Sequence, residues 1–177
     1  AVKLESLKLY MYCAQSLSDS FTARLYPLTH EFVEGTGTSK SGTNMTGATW
    51  NTYDGTNPWT TAGGDFDSGK YVDAFKASNG GAISVDAWAC WDLTSLAEDA
   101  GLQAYGAMIT VAPEDANLLT NGWETKAFNS SDFGTVALRP YVEMTYTAVP
   151  EPSSLVLCGL GLLAAVGLAR QRKRSRR

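Results

Sequence analysis

One histidine and three cysteines in 177 residues leave little from which to build a metal centre or a nucleophile relay. No CxxC pair and no Cys/His spacing of the zinc kind occurs. His30, the sole histidine, sits in "LTHEF", and no serine stands in the GxSxG context that a Ser-His-acid relay would use. Phosphate loops and nucleotide fingerprints are missing too. The paired acids Glu31/Glu34 and Glu114/Asp115 read as solvated surface charges. Two-carboxylate glycoside chemistry depends on separation in space, which adjacency in sequence does not supply. The expectation is a protein that is not an enzyme.

Charge is also scarce, at 18% of residues against 44% hydrophobic, which excludes wholesale disorder. What basic charge there is lies in the wrong place for nucleic acid. Six of the 14 basic residues, Arg170, Arg172, Lys173, Arg174, Arg176 and Arg177, lie in the last eight positions, while all 18 acidic residues precede position 152. Residues 1–169 hold eight basic against 18 acidic side chains, a net −10 that repels phosphate backbones. Of the cysteines, Cys158 lies in an apolar run, leaving one pair. Cys13 follows the inward phase of Leu7, Leu9 and Met11, whereas Cys90 alternates with Trp91 and Leu93, so opposed faces do not favour a bridge.

The apolar run is "LVLCGLGLLAAVGLA", residues 155–169, without a single charge. As a helix it would reach about 23 Å at ~1.5 Å per residue, short of the ~30 Å hydrocarbon core. Arginine snorkelling at one end and Pro152-Ser153-Ser154 at the other make up the difference. A buried C-terminal core helix would need a polar face, and this run has none. The basic cluster would stay cytoplasmic and leave the acidic body outside.

Val149-Pro150-Glu151-Pro152-Ser153-Ser154, then the apolar run with Gly159, Gly161 and Gly167, then the Arg-rich end closely resemble the PEP-CTERM sorting signal. That three-part signal marks exported proteins of Gram-negative bacteria that make exopolysaccharide. The resemblance implies an exosortase, a membrane-embedded cysteine transpeptidase, as partner. Pro150, Glu151 and Pro152 would be the residues it reads. The implied route is an inner-membrane-anchored intermediate, then the cell surface or the extracellular matrix.

The body reads as strands. "SLKLYMY" (6–12) sets Leu7, Leu9 and Met11 against Lys8, Tyr10 and Tyr12. "FTARLYPL" (21–28) sets Phe21, Ala23 and Leu25 against Thr22, Arg24 and Tyr26. "GAMITVA" (106–112) and "YVEMTYT" (141–147) alternate likewise. Period-2 patterning in short segments rich in β-branched and aromatic residues predicts half-buried antiparallel strands. Turns are expected at Asn79-Gly80-Gly81 and Asn121-Gly122. "LTSLAEDAG" (93–101) is the one helical turn, capped by Thr94 or Ser95 and stopped by Gly101.

Residues 34–69 form a long irregular stretch with eight glycines, nine threonines, Trp50 and Trp59. Bulky aromatics argue against a linker. Trp50, Tyr53 and Trp59 are candidate sugar-stacking rings, with Trp88 and Trp123 as weaker ones. Asn51, Asp54 and Asn57 stand near in sequence as polar partners. The plainer alternative is that the tryptophans pin the loop to the sandwich. Asp65 and Asp67, with Asp86 and Asp92 further off, are weak candidates for a structural Ca²⁺ site. A turn cap or a solvated loop is the favoured reading of Asp65 and Asp67.

"LYPLTHEFVEGTGT", "GATWNTYDGTNPWTTAGGDFD", "WDLTSLAEDAG" and "RPYVEMTYT", in that order, resemble the DNRLRE-type domain, related to the disaggregatase-related repeat and to a family of carbohydrate-binding modules. The resemblance implies a jelly-roll-like antiparallel β-sandwich over residues 1–147, followed by the sorting signal at 148–177 with one apolar helix (155–169) and a basic end (170–177). The family's opening strands would precede "VKLESLKLYMY", and "AVKLES" carries neither an initiator Met nor a secretion signal, so the sequence reads as a fragment or a processed form. The expected function is a non-catalytic surface or matrix component. The alternative is a module that binds extracellular polysaccharide through its loop aromatics.

Overall fold

Alternation along β1 (Val2–Ser16) turns Leu7, Leu9, Met11 and Cys13 to one side, and that side becomes the core of the protein. The computed structural model describes residues 2–16, 21–35, 46–113 and 126–149. The remaining elements are β2 (Ala23–Pro27), β3 (Val72–Asp73), β4 (Phe75–Lys76), β5 (Ala87–Asp92), α1 (Ala100–Tyr105), β6 (Ala107–Val111), β7 (Lys126–Phe128) and β8 (Tyr141–Ala148). Short 3₁₀ turns occupy Thr94–Leu96 and Val136–Leu138.

The strands form two sheets. One runs β4-β5-β1-β7, with β8 also paired to β1; the other runs β3-β2-β6. Their registers are antiparallel: Lys8 opposes Asp92 and Cys13 opposes Ala87 across β1 and β5, while Ala23 opposes Val111 and Pro27 opposes Ala107 across β2 and β6. The expected all-β class is what forms. Between the sheets lie Cys13, Ala23, Leu25, Ile83, Ala89, Trp91, Leu93 and Leu96. Trp91 is fully buried, and its indole N–H donates to the Ala23 carbonyl (3.1 Å). Its ring meets Phe128 edge-on at 5.5 Å. Cys13 and Cys90 are both buried, on opposite faces of the β1–β5 pair as their phases predict.

Three local expectations are corrected. β2 is buried along its whole length, not on one face. It is the middle strand of its sheet, and its outward side chains are covered. Tyr26 packs on Phe66 and Tyr71 (4.6 and 5.9 Å), and Arg24 forks onto Asp73. β8 fails in the opposite sense, since every residue in it is exposed. Val142 and Met144 are 52% and 53% exposed despite their alternation.

The helical turn is also displaced. Neither Thr94 nor Ser95 caps the 3₁₀ turn, whose N-cap position is Leu93; Asp92 Oδ1, just before it, accepts from Thr94 N and Oγ1 (3.1 and 2.6 Å). Asp99 is the N-cap of α1, accepting from Leu102 N (3.0 Å). Gly101 lies inside α1, where a Cβ would strike the Leu28 carbonyl; the helix ends at Gly106, whose φ of +83° favours glycine. Asn79-Gly80-Gly81 does turn the chain, with Lys76 accepting from Gly80 (2.8 Å).

The chain divides into two units, Ser6–Met144 and Ala1–Glu5 with Thr145–Arg177. In the second, Thr147 Oγ1 donates to Glu5 Oε1 (2.8 Å), which also receives Lys3 Nζ (3.2 Å). Among the described residues no helix is long and apolar enough to cross a membrane. The run at 155–169, where the sequence predicts one, lies outside them, as does the Asn121-Gly122 turn.

Candidate functional site

The glycine- and threonine-rich stretch is held in shape, from residue 46 on, by short-range polar contacts. Asp54 Oδ1 accepts from Thr56 N and Asn57 N (2.8 and 2.6 Å), and Asn57 Nδ2 donates to Asp54 Oδ2 (2.7 Å). Tyr53 N donates to Asn57 O, and Trp59 N to Asn51 O, closing a small turn over 51–59. Asp54 and Asn57 therefore stabilise the loop itself, and are not the open ligand contacts that their position near the tryptophans suggested. The loop is fastened to β2 by a Leu28–Phe66 bridge and by Asp67 N donating to Pro27 O (3.0 Å).

The three candidate rings take different roles. Trp59 is 8% exposed, and its N–H is satisfied by Thr49 O (2.9 Å). It packs with Tyr53 (5.9 Å) and His30 (6.2 Å), and His30 stacks obliquely on Tyr53 at 4.4 Å. Trp59 as an open stacking platform is thus corrected: burying a Trp ring and satisfying its N–H makes it the pin of the loop. Trp50 is the reverse, 68% exposed. Its carbonyl accepts from Gly63 N (2.6 Å), and Gly63, at φ +99°, backs the six-membered end of the ring so closely that a Cβ would lie 2.9 Å from it.

Beside Trp50 a groove of about 400 Å³ opens between the loop and the outward side of β6. Leu28, Phe32, Trp59, Met108 and Thr110 line it with Trp50. The volume falls in the range of roughly 300–1,000 Å³ typical of ligand clefts. Sequence reasoning missed Met108 and Thr110, which β6 brings to the groove by pairing with β2, and Phe32, whose neighbour Val33 is tied to the loop by Val33 N donating to Tyr53 O and Ala48 N donating to Val33 O; Phe32 is itself 45% exposed.

The aspartates suggested for Ca²⁺ are engaged otherwise. Asp65 accepts from Thr60 N and Thr61 N (3.0 Å each), and Asp67 from Gly69 N (3.0 Å) with Lys70 Nζ at 3.3 Å. Asp86 accepts from the Tyr12 hydroxyl (3.3 Å). Among the described residues no cluster of three or more His, Cys, Asp or Glu side chains is suited to a metal. Glu114 and Asp115 lie outside the described residues.

Donated hydrogen bonds hold four carboxyls below their ordinary range: from Asn57 N for Asp54, Thr60 N for Asp65, the Thr94 hydroxyl for Asp92, and the Lys70 ammonium for Asp99. A folded-state value below the unfolded one adds stability above the unfolded value, and that stability is lost as pH falls through the folded one. The urea midpoint of the full chain should therefore stay level from neutral pH to roughly pH 5 and fall below about pH 4. In Asp92→Asn the fall should be shallower. A midpoint that rises on acidification would contradict these bonds.

A second aromatic group covers the outer side of the other sheet. Tyr10 stacks on Tyr141 (4.7 Å, 10°), and Trp88 meets Tyr12 and Tyr141 edge-on at 5.5 and 5.1 Å. Burial, with the Cys90 thiol alongside, pushes Tyr10 up to about 12. Trp88 thus belongs to this face and not to the loop groove; Trp123 lies outside the described residues.

β8 ends at Ala148, and Val149 beyond it is 41% exposed. Residues 148–173 match the PEP-CTERM protein-sorting motif. The last strand thus runs into the motif with no linker between them. The motif implies export, an exosortase as processing partner, membrane-associated processing and then surface localisation. Pro150, Glu151, Pro152 and the terminal basic cluster lie outside the described residues. No curated protein and no solved structure matches the chain.

Proposed function

We propose that this chain is a non-catalytic surface or matrix protein of a Gram-negative-type bacterium. Its two-sheet body is the exported cargo, read as a jelly-roll-like sandwich of the DNRLRE type. The sorting motif at 148–173 is the observation that carries this reading. On this account the apolar run anchors the chain transiently in the inner membrane, the basic end stays cytoplasmic, and an exosortase reads Pro150-Glu151-Pro152 and severs the tail. Deleting residues 150–177 should abolish surface delivery, measured by accessibility of the body to antibody on intact cells. Replacing Pro150 and Pro152 with alanine should leave an unprocessed, membrane-bound chain on immunoblots. Unchanged surface signal from the deletion would refute the proposal.

A second reading is a carbohydrate-binding module. The exposed ring of Trp50 beside a concave groove favours it, because an aromatic face in a cleft offers an apolar surface to the C–H face of a sugar.

A further inference from the structure

The groove beside Trp50 differs from the rest of the molecule in its charge. Residues 1–169 carry a net −10, yet none of the described residues lining this groove is charged. Leu28, Phe32, Trp50, Trp59, Met108 and Thr110 give it apolar walls with a few polar atoms. We infer that the groove takes a single neutral sugar ring of a polysaccharide, stacked on Trp50, and that it rejects acidic glycans. This rests on the carbohydrate-binding reading above and narrows it to one ring and one class of ligand.

Three observations support the assignment. Trp50 is poised before any ligand arrives: the Gly63 N–H holds its carbonyl and the Gly63 backbone supports its ring, so little ordering remains to be done on binding. Phe32, 45% exposed, adds a second solvent-facing aromatic ring to the groove. The Thr110 hydroxyl makes no hydrogen bond to another described residue, which leaves a donor and an acceptor for sugar hydroxyls. A uronate carboxylate would have to shed water with no cation among the described lining residues to receive it, and it would approach against the field of the acidic body. A neutral pyranose meets neither cost.

Trp59 and Tyr53 then shape the site without binding in it, and the Tyr10/Tyr12/Trp88/Tyr141 face plays no part. The test is affinity electrophoresis of the full chain, kept soluble in a polyoxyethylene detergent, through gels containing a neutral β-glucan, a neutral galactomannan, or the acidic glycans alginate and hyaluronan. At least one neutral glycan should retard the protein, to the same extent at low and high salt. Trp50→Ala should weaken that retardation by about tenfold or more, as loss of a central aromatic anchor does. Trp50→Phe should keep part of it, and Trp88→Ala all of it.

Retardation by an acidic glycan alone would overturn the inference while sparing the carbohydrate reading. Loss in Trp88→Ala but not in Trp50→Ala would overturn it by moving the site to the other sheet. Free migration through every gel would overturn both. Trp50 is a surface residue, so Trp50→Ala should match the parent in circular dichroism, and a loss of retardation will then report the site and not the fold.

Discussion

Replacing Trp91 with alanine will cost the fold about 3–5 kcal/mol, the usual range for deleting a buried Trp or Phe side chain from a core. A domain of this kind holds only about 5–15 kcal/mol in total, so one substitution removes a third or more of it. Trp91 is fully buried, and its ring lies among Cys13, Leu25, Ala89 and Leu93 between the two sheets. It also joins the sheets by a polar contact, its N–H reaching the Ala23 carbonyl of β2 from β5. Trp91→Phe separates the two contributions. The Ala23 carbonyl would still accept from Ala74 N (2.9 Å), so it is not left unsatisfied. The phenylalanine should therefore cost only about 1–2 kcal/mol, mostly for unfilled volume. Urea unfolding of the full chain, followed by far-ultraviolet circular dichroism, reads both values from the midpoint at constant slope. A loss below about 1 kcal/mol in Trp91→Ala would mean that the sheets do not close around this ring.

The inward phases of β1 and β5 were legible in the sequence, because one face of each strand is apolar and the pleat enforces the alternation. So was the sorting motif, whose order of Pro-Glu-Pro, apolar run and basic end is carried by local sequence alone. The errors have a common cause. Whether an alternating strand is half-buried depends on what the fold lays over its second face, and that is a long-range fact. β2 is covered by Tyr71 and Phe66 and buried throughout, while every residue of β8 is exposed, yet both alternate equally well. Trp50 and Trp59 show the same limit within nine residues. Both are tryptophans in a turn-rich loop, and only the backing of one by Gly63 and the burial of the other distinguish rim from pin. That the described residues lining the groove are uncharged was invisible for the same reason, since they are drawn from positions 28 to 110.

Arg24 is where the alternation of β2 misleads most, and it carries the second large effect. It is 6% exposed in the middle strand of its sheet, directly across from Asp73 on β3. Its Nε and Nη2 reach the two carboxylate oxygens at 2.5 and 2.8 Å, and its guanidinium lies 3.8 Å over the Tyr71 ring. Breaking a buried pair by removing one partner typically costs about 3–5 kcal/mol, because the other charge is stranded. The two members are not equally exposed. Asp73 has a side chain 41% exposed, so it regains water when Arg24 is removed. Arg24, with its side chain 7% exposed, cannot do so when Asp73 is removed.

Asp73→Ala should therefore destabilise by about 2–3 kcal/mol, trimmed from the full figure because water reaches one side of the pair. Arg24→Met, which keeps the aliphatic stem and removes the charge, should cost less than that. In the Arg24→Met background Asp73→Ala should become nearly neutral, giving a coupling of at least about 1 kcal/mol in the double-mutant cycle. Arg24→Lys should not rescue, because an ammonium reproduces neither the fork nor the stack on Tyr71. If Asp73→Ala cost the same with and without Arg24, the carboxylate would be a bystander, and the burial of Arg24 would have to be offset by other groups around it.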